Sequence, residues 1–202
     1  MNNLPLIKVN AVKAADICAQ FYLPQEARQQ LRCKMSPQEF VAALLEKRQY
    51  LEGIDFVAHA LPAREAIWWG CLCLQHACGD SLSLTEKAAC RAAAQWVLQP
   101  TEENRAAAKA PADKAGPTNP AGALAAAANQ TGGSVAPANA PCMPQGPFAP
   151  AKAVAMAVKL ASNKGDPTKM ADRHESFVRL GIGVAEGRFM WPEIRNSAST
   201  RK

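Results

Sequence analysis

The sequence predicts an all-α protein, a compact multi-helix bundle with a long Ala/Pro/Gly-rich connecting segment. Three observations predict it. Of 202 residues, 49% are hydrophobic but only 6% aromatic, and alanine dominates the apolar fraction. Alanine loses no side-chain freedom on becoming helical, whereas sheets favour aromatic and β-branched residues. Apolar residues recur every three or four positions over most of the chain, the period of an amphipathic helix. Helix-cap signatures bracket those periodic stretches.

Residues 12–21 and 25–34 read as two short helices, the second entered through Leu23-Pro24. Ser36-Pro37-Gln38-Glu39 is a capping box with proline at the first helical position, and Phe40, Val41, Leu44 and Leu45 stripe the helix that runs to about Arg48. Ile54, Val57, Ala58 and Leu61 repeat at helical spacing up to Pro62. Pro62 and Gly79 then bracket a helix that is apolar nearly all round from Ala66 to Leu74, apart from Gly70. A helix without a polar face belongs in a core. A second capping box, Ser83-Leu84-Thr85-Glu86, opens a helix with Ala89, Ala93, Trp96 and Val97 on one face, stopped by Pro100. Residues 36–99 thus form a central antiparallel unit with short connections. The Leu-Pro pair at 23–24 recurs at 61–62, but the flanking positions do not match and no repeat is read.

From Pro111 to Pro150 the composition turns to Ala, Pro, Gly, Asn and Ser with almost no charge, which suits a linker. An ordered alternative also fits. Leu124 lies in an alanine run, 121–129, that makes a short helix ended by Gly132-Gly133, followed by an extended proline-rich stretch from Ser134 to Pro150. In that case flexibility is confined to about residues 108–118. Ala151 to Ser162 resumes as helix with Val154, Val158 and Ala161 on one face, and Asp166-Pro167 opens the last helix, through Phe177, Val178, Leu180, Ile182, Val184 and Ala185 to about Gly187. Residues 1–194 are expected to be one helical domain, with its C-terminal helices over 151–188 and a frayed polar tail at 195–202.

Composition narrows the functional classes. Twenty-three Lys and Arg against seventeen Asp and Glu give a net charge of +6, but the cations are scattered, and no nucleic-acid partner is expected. The amino terminus lacks a signal peptide's apolar run and no window reaches the roughly 18 apolar residues of a membrane span, so a soluble, cytoplasmic protein without membrane insertion is expected. Seven cysteines, at 18, 33, 71, 73, 78, 90 and 142, fall mostly inside helical patterns. They read as buried thiols in a reducing compartment.

Candidate chemistry is sparse. Cys71, Cys73, His76, Cys78 and Cys90 invite a zinc reading, yet at about 100° per residue Cys73 points away from the face that Cys71 and Cys78 share, so one helix cannot gather a tetrahedral set. No metal or other cofactor is expected. Asp55 and His59 stand at i, i+4 spacing, but no nucleophile is legible beside them. Gly181, Gly183 and Gly187 follow no strand, so close helix approach explains them better than a phosphate loop. Adjacent Trp68 and Trp69 must face about 100° apart, so one can fill the core while the other reaches a groove or a partner. Arg64 and Glu65, in the first turn of the same helix, cap it, pair locally or read a partner.

Three segments carry a family resemblance: Leu61 to Cys73 with its Arg-Glu-Ala-Ile-Trp-Trp core; Thr131-Gly132-Gly133-Ser134-Val135-Ala136-Pro137 with Lys152-Ala153-Val154-Ala155; and Leu180 to Gly187 with Trp191-Pro192. In this order they resemble a bacterial family of unknown function associated with type VI secretion gene clusters. The resemblance implies an ordered 121–150 segment, since a spacer has no need of the Gly-Gly-Ser element, although Asn129-Gln130 replace the family's usual aromatics. It implies no reaction, no catalytic residue and no cofactor. What it implies is a non-enzymatic accessory, adaptor or chaperone-like protein whose partner is a secretion spike or effector component. Arg64, Glu65, Trp68, Trp69, Ser134 and Pro137 are the candidate partner-binding residues. The alternative is a small ligand-binding domain or enzyme with a pocket between the central and C-terminal helices.

Overall fold

Cap residues mark where the helices begin. The computed structural model describes residues 4–132 and 146–192. Ser36 Oγ accepts from the Glu39 N–H while Glu39 Oε2 accepts from the Ser36 N–H. The same reciprocal box links Ser83 and Glu86, and each satisfies donors a helix start leaves free. In chain order the helices are α1 (Ala14–Cys18), α2 (Gln25–Arg28), α3 (Pro37–Glu46), α4 (Tyr50–Ala60), α5 (Ala63–Cys78), α6 (Leu84–Leu98), α7 (Glu102–Ala107), α8 (Lys109–Ala115), α9 (Pro120–Asn129), α10 (Ala149–Ser162) and α11 (Met170–Ala185). No strand occurs among the described residues. The fold is all-α.

Two of the sequence expectations shrink. The helix read over 12–21 is a single turn, α1, because the chain must leave helical geometry to enter Leu23-Pro24. The helix read over 25–34 is α2, which buries Ala27 alone and so has no apolar stripe to hold a second turn. A third region gains structure. Residues 108–118, expected to be pliant, hold α8, with Pro111 in its first turn, where a missing N–H costs nothing. Gly116, at φ 86°, ends it.

α5 lies at the centre, packed by α4, α6, α9, α10 and α11. Ile67, Trp69, Cys73 and Leu74 on it are at most 1% exposed. α9 is the most alanine-rich of these neighbours. Ala121, Ala123, Leu124, Ala125, Ala127 and Ala128 are all buried, because side chains this small let α5, α6, α8 and α10 close in from several sides at once. A Cβ on Gly70 would overlap Leu124 Cδ1, so glycine in α5 is what lets α9 settle there. Of the alanine-rich 111–150 stretch, the parts within the described residues are helix and turn rather than free spacer. Its 133–145 portion lies outside them, as does the tail from 193 onward.

Candidate functional site

Arg64 stands on the first turn of α5, and its guanidinium reaches across to the end of α6. Nε donates to Val97 O at 2.7 Å and an Nη to Leu98 O at 3.3 Å, which satisfies two of the carbonyls that a helix C-terminus leaves unpaired. The other side of the guanidinium lies over the Trp191 ring, 4.2 Å from its centroid. Trp68, one turn on, meets Trp191 edge to face at 6.4 Å. Its Nε1 donates to Phe189 O at 2.8 Å. Glu65 is largely enclosed and faces Lys8 at 4.0 Å. Trp69 points the other way, fully buried, with Nε1 donating to Phe177 O at 2.8 Å. Of the two tryptophans, Trp69 is therefore the core residue and Trp68 the half-buried one, held against the segment after α11. Ser134 and Pro137 lie outside the described residues.

These contacts anchor the segment after α11. Gly187, at φ 77°, turns the chain while the Arg188 N–H returns to Gly183 O and the Gly187 N–H to Val184 O, a Schellman cap. The reversed stretch then crosses the start of α5, where Arg64 and Trp68 hold it.

Two more helix ends are closed by an arginine. Arg105 donates to Asn129 O at the end of α9, and Asn129 returns a hydrogen bond to Arg105 O. Arg173 donates to Ser162 O at the end of α10. Beside it, Ser162 Oγ donates to Lys159 O and lies 2.6 Å from His174 Nε2. With its one proton given to the carbonyl, the hydroxyl can only accept from His174. That polarity is opposite to an activated serine nucleophile.

The Asp55 and His59 pair expected from i, i+4 spacing forms differently. His59 Nδ1 meets the backbone oxygen of Asp55 at 2.8 Å, while the Asp55 carboxylate takes Lys159 Nζ at 2.6 and 2.7 Å. Sequence reading missed Lys159, because its partner is more than a hundred residues away and i, i+4 logic sees only one helix. His76 packs edge-on against Phe177 at 5.8 Å.

Cys71, Cys73 and Cys90 sit in or against the apolar core, whereas Cys33, expected to be buried, is exposed because it lies in the turn after α2 rather than inside a helix, and Cys142 lies outside the described residues. Burial, with Cys90 beside it, pushes the Cys71 thiol up to about 12, and burial pushes Cys90 up to about 11. Cys73 is also raised by burial. Such thiols remain protonated near neutral pH, the opposite of reactive cysteines. Among the described residues no three His, Cys, Asp or Glu side chains converge as a metal site would require, and no helix is long and apolar enough to cross a membrane.

α3 and α11 both pack on α4, and a groove of about 580 Å³ opens between their outer faces. Val41, Ala42 and Leu45 line it from α3, Leu180 and Ile182 from α11, and Phe189 from the reversed segment. Arg179 and Arg188 stand at its rim, each held on one side by a carboxylate, Glu175 and Glu186 respectively. Trp68 thus has an indirect part in this groove, since its hydrogen bond fixes the backbone that carries Phe189. One signal in the sequence could have located the groove. Phe177, Val178, Gly181, Val184 and Ala185 form the buried face of α11, and Leu180 and Ile182, flanking that face, extend its apolar pattern but are only partly buried against the core.

No curated protein and no solved structure matches this chain. A family of unknown function, DUF6931, matches residues 40–185, from the start of α3's buried stripe to the last residue of α11. The match takes in the α5 centre, the alanine-rich α9 and both walls of the groove. With well over half of its length matched, the chain belongs to the DUF6931 family of unknown function.

Proposed function

We propose that this chain is a non-enzymatic interaction protein, an accessory, adaptor or chaperone-like factor of a bacterial type VI secretion system, acting in the cytoplasm. It docks an amphipathic helix of a secretion spike or effector component. The observation that carries the reading is the groove between α3 and α11, whose Val41, Leu45, Leu180 and Ile182 have no helix from the described residues laid between them. Two helical walls on a common base leave room for a further helix, and a helix laid in such a groove buries apolar residues spaced three and four apart. Guanidinium groups of Arg179 and Arg188 have donors left beyond their glutamate partners, which favours acidic residues along the occupant's edges. Gene-cluster association, through the resemblance of the Arg64 to Trp69 element, supports the secretion setting.

A photo-crosslinking residue at Ala42, exposed beside the groove, tests this in the native bacterium. Cross-links to a spike or effector component are expected, reduced roughly tenfold or more by Leu45→Glu and Leu180→Glu in chains that keep the wild-type helical spectrum. A control crosslinker at Gln95, exposed on α6, should give none of these. Equal products from both positions, or none from Ala42, would overturn the reading.

A further inference from the structure

A second cleft, of about 370 Å³, runs along the valley between α5 and α6. It shares no residue with the docking groove, and the inference drawn from it stands apart from the function proposed above.

Helical spacing builds both of its walls. Trp68, Cys71, Leu72 and Gln75 follow one another at i, i+3, i+4 and i+7 on α5, so they share one face of it. Lys87, Cys90, Arg91 and Ala94 repeat that spacing on α6. The two helices run antiparallel, since Arg64 at the start of α5 reaches Val97 and Leu98 at the end of α6. Trp68 therefore lies toward Ala94, and Lys87 toward the other end, near Gly79 and Leu82.

The floor of the cleft is apolar. Leu74 is 1% exposed, and Trp68, Cys71, Leu72 and Cys90 are half-buried against the core. Protonated thiols behave as small hydrophobes, so the two sulfurs extend that surface.

The charges beside it are of one sign. Lys87 and Arg91 stand one turn apart, where like charges repel, and neither forms an ion pair among the described residues. The neighbouring acid, Glu86, is taken up by Asn119, Lys164 and the Ser83 cap. Among the described residues no carboxylate lines the cleft. Two cations without a counter-charge thus border an apolar valley that extends from Lys87 to Ala94, about 10 Å along α6 at 1.5 Å per residue. One molecule answers both features if it joins an anionic head to an extended apolar body.

We propose that this cleft binds a single-chain aliphatic acid, its carboxylate between Lys87 and Arg91 and its chain laid over Cys90, Cys71 and Leu72 toward Trp68. The head is fixed by the cation pair, and the length of the valley beyond it favours a chain over a single ring.

Calorimetric titration of the full chain near neutral pH with decanoate, decanol and hexanoate separates head from chain. Saturable binding of decanoate is expected, roughly tenfold tighter than decanol, which lacks the charge, and at least roughly tenfold tighter than hexanoate, whose shorter chain leaves the Trp68 end uncovered. Lys87→Gln combined with Arg91→Gln should lower the affinity for decanoate to that for decanol and leave decanol binding in place. Ala94→Phe, which puts a ring into the valley, should weaken decanoate roughly tenfold or more in a chain that keeps the wild-type helical spectrum. Leu180→Glu, in the docking groove, should leave decanoate binding as it is. Phosphatidylglycerol vesicles should not be bound, because their acyl chains are held in the bilayer. No saturable decanoate binding up to the millimolar range, equal affinity for decanoate and decanol, or wild-type affinity in the folded double variant would overturn the proposal. So would loss of decanoate binding in Leu180→Glu, or binding of the vesicles through Lys87 and Arg91 without binding of the free acid.

Discussion

The indole of Trp69 crosses α11 at Gly181. A Cβ on Gly181 would lie 3.0 Å from Cε2 of that ring, 3.1 Å from Nε1 and 2.5 Å from Val57 Cγ1. With no side chain there, Nε1 comes close enough to donate to Phe177 O at 2.8 Å, so the polar atom of a fully buried tryptophan is satisfied by the backbone of α11. α4, α5 and α11 meet at this point.

Trp69→Ala should destabilise the protein by about 3 to 5 kcal/mol, the usual loss for a large aromatic in a packed core. Trp69→Phe keeps most of the volume but leaves space and deletes the donor to Phe177, which suggests about 1 to 3 kcal/mol. Urea denaturation of both variants checks the order. An unchanged midpoint for Trp69→Ala would remove α5 from the centre of the fold.

Gly181→Ala separates packing from propensity. In an exposed helix alanine is better than glycine by about 1 kcal/mol. Here the added methyl overlaps Val57 and the Trp69 ring, and overpacking of this kind costs about 1 to 3 kcal/mol. The variant should melt below wild type, with weakened near-ultraviolet dichroism from the displaced indole. A higher melting temperature would show that the helices have room to separate.

Arg64→Lys keeps a positive charge at the start of α5 but loses the planar group that reaches two carbonyls of α6 while stacking on Trp191. A loss of about 1 to 2 kcal/mol is expected, the range for hydrogen bonds to a charged group. Release of the segment after α11 should also shift the emission of Trp68 and Trp191 to longer wavelength. Loss of stability without that shift would mean that Trp68 alone holds the segment.

Acid should unfold the protein partly through Glu86. The Asn119 amide, then the Ser83 backbone N–H and hydroxyl, hold its carboxyl down to about 2, with Lys164 adding to the effect. A carboxyl whose pKa is depressed by folding stabilises fully above its unfolded value of about 4.3 and loses that contribution as pH falls through its folded value. The loss therefore develops between about pH 4.5 and pH 2 and amounts to on the order of 2 kcal/mol. Glu86→Gln should be less stable than wild type at neutral pH and show a flatter decline across that window. Parallel stability curves for the two proteins would exclude Glu86 as a source of acid sensitivity.

What the sequence determined by itself is local in origin. The Ser36 and Ser83 boxes bond residues three apart, Gly79 stops α5 with a φ of 49° that glycine tolerates, and an all-round apolar segment has nowhere to go but the core. All-α class and the central place of α5 follow from such features. Even α7 had a readable start, since Thr101 accepts from the Asn104 N–H, though the alanine and proline that follow obscure it. Other features were decided only when distant segments met. Adjacency fixed the angle between Trp68 and Trp69, but α11 decided which was buried, because Gly181 leaves space on one side of α5 only. Helical spacing placed His59 near Asp55, yet Lys159 from α10 took the carboxylate and left the imidazole a backbone oxygen. The α3 and α11 groove was legible only in part, since Leu180 and Ile182 extend the apolar pattern beyond the face that α11 buries, but a helix pattern counts apolar positions without saying how many its neighbours will cover. A hydrogen bond within one turn depends on the residues of that turn alone, whereas burial depends on whatever else the chain brings to the same place.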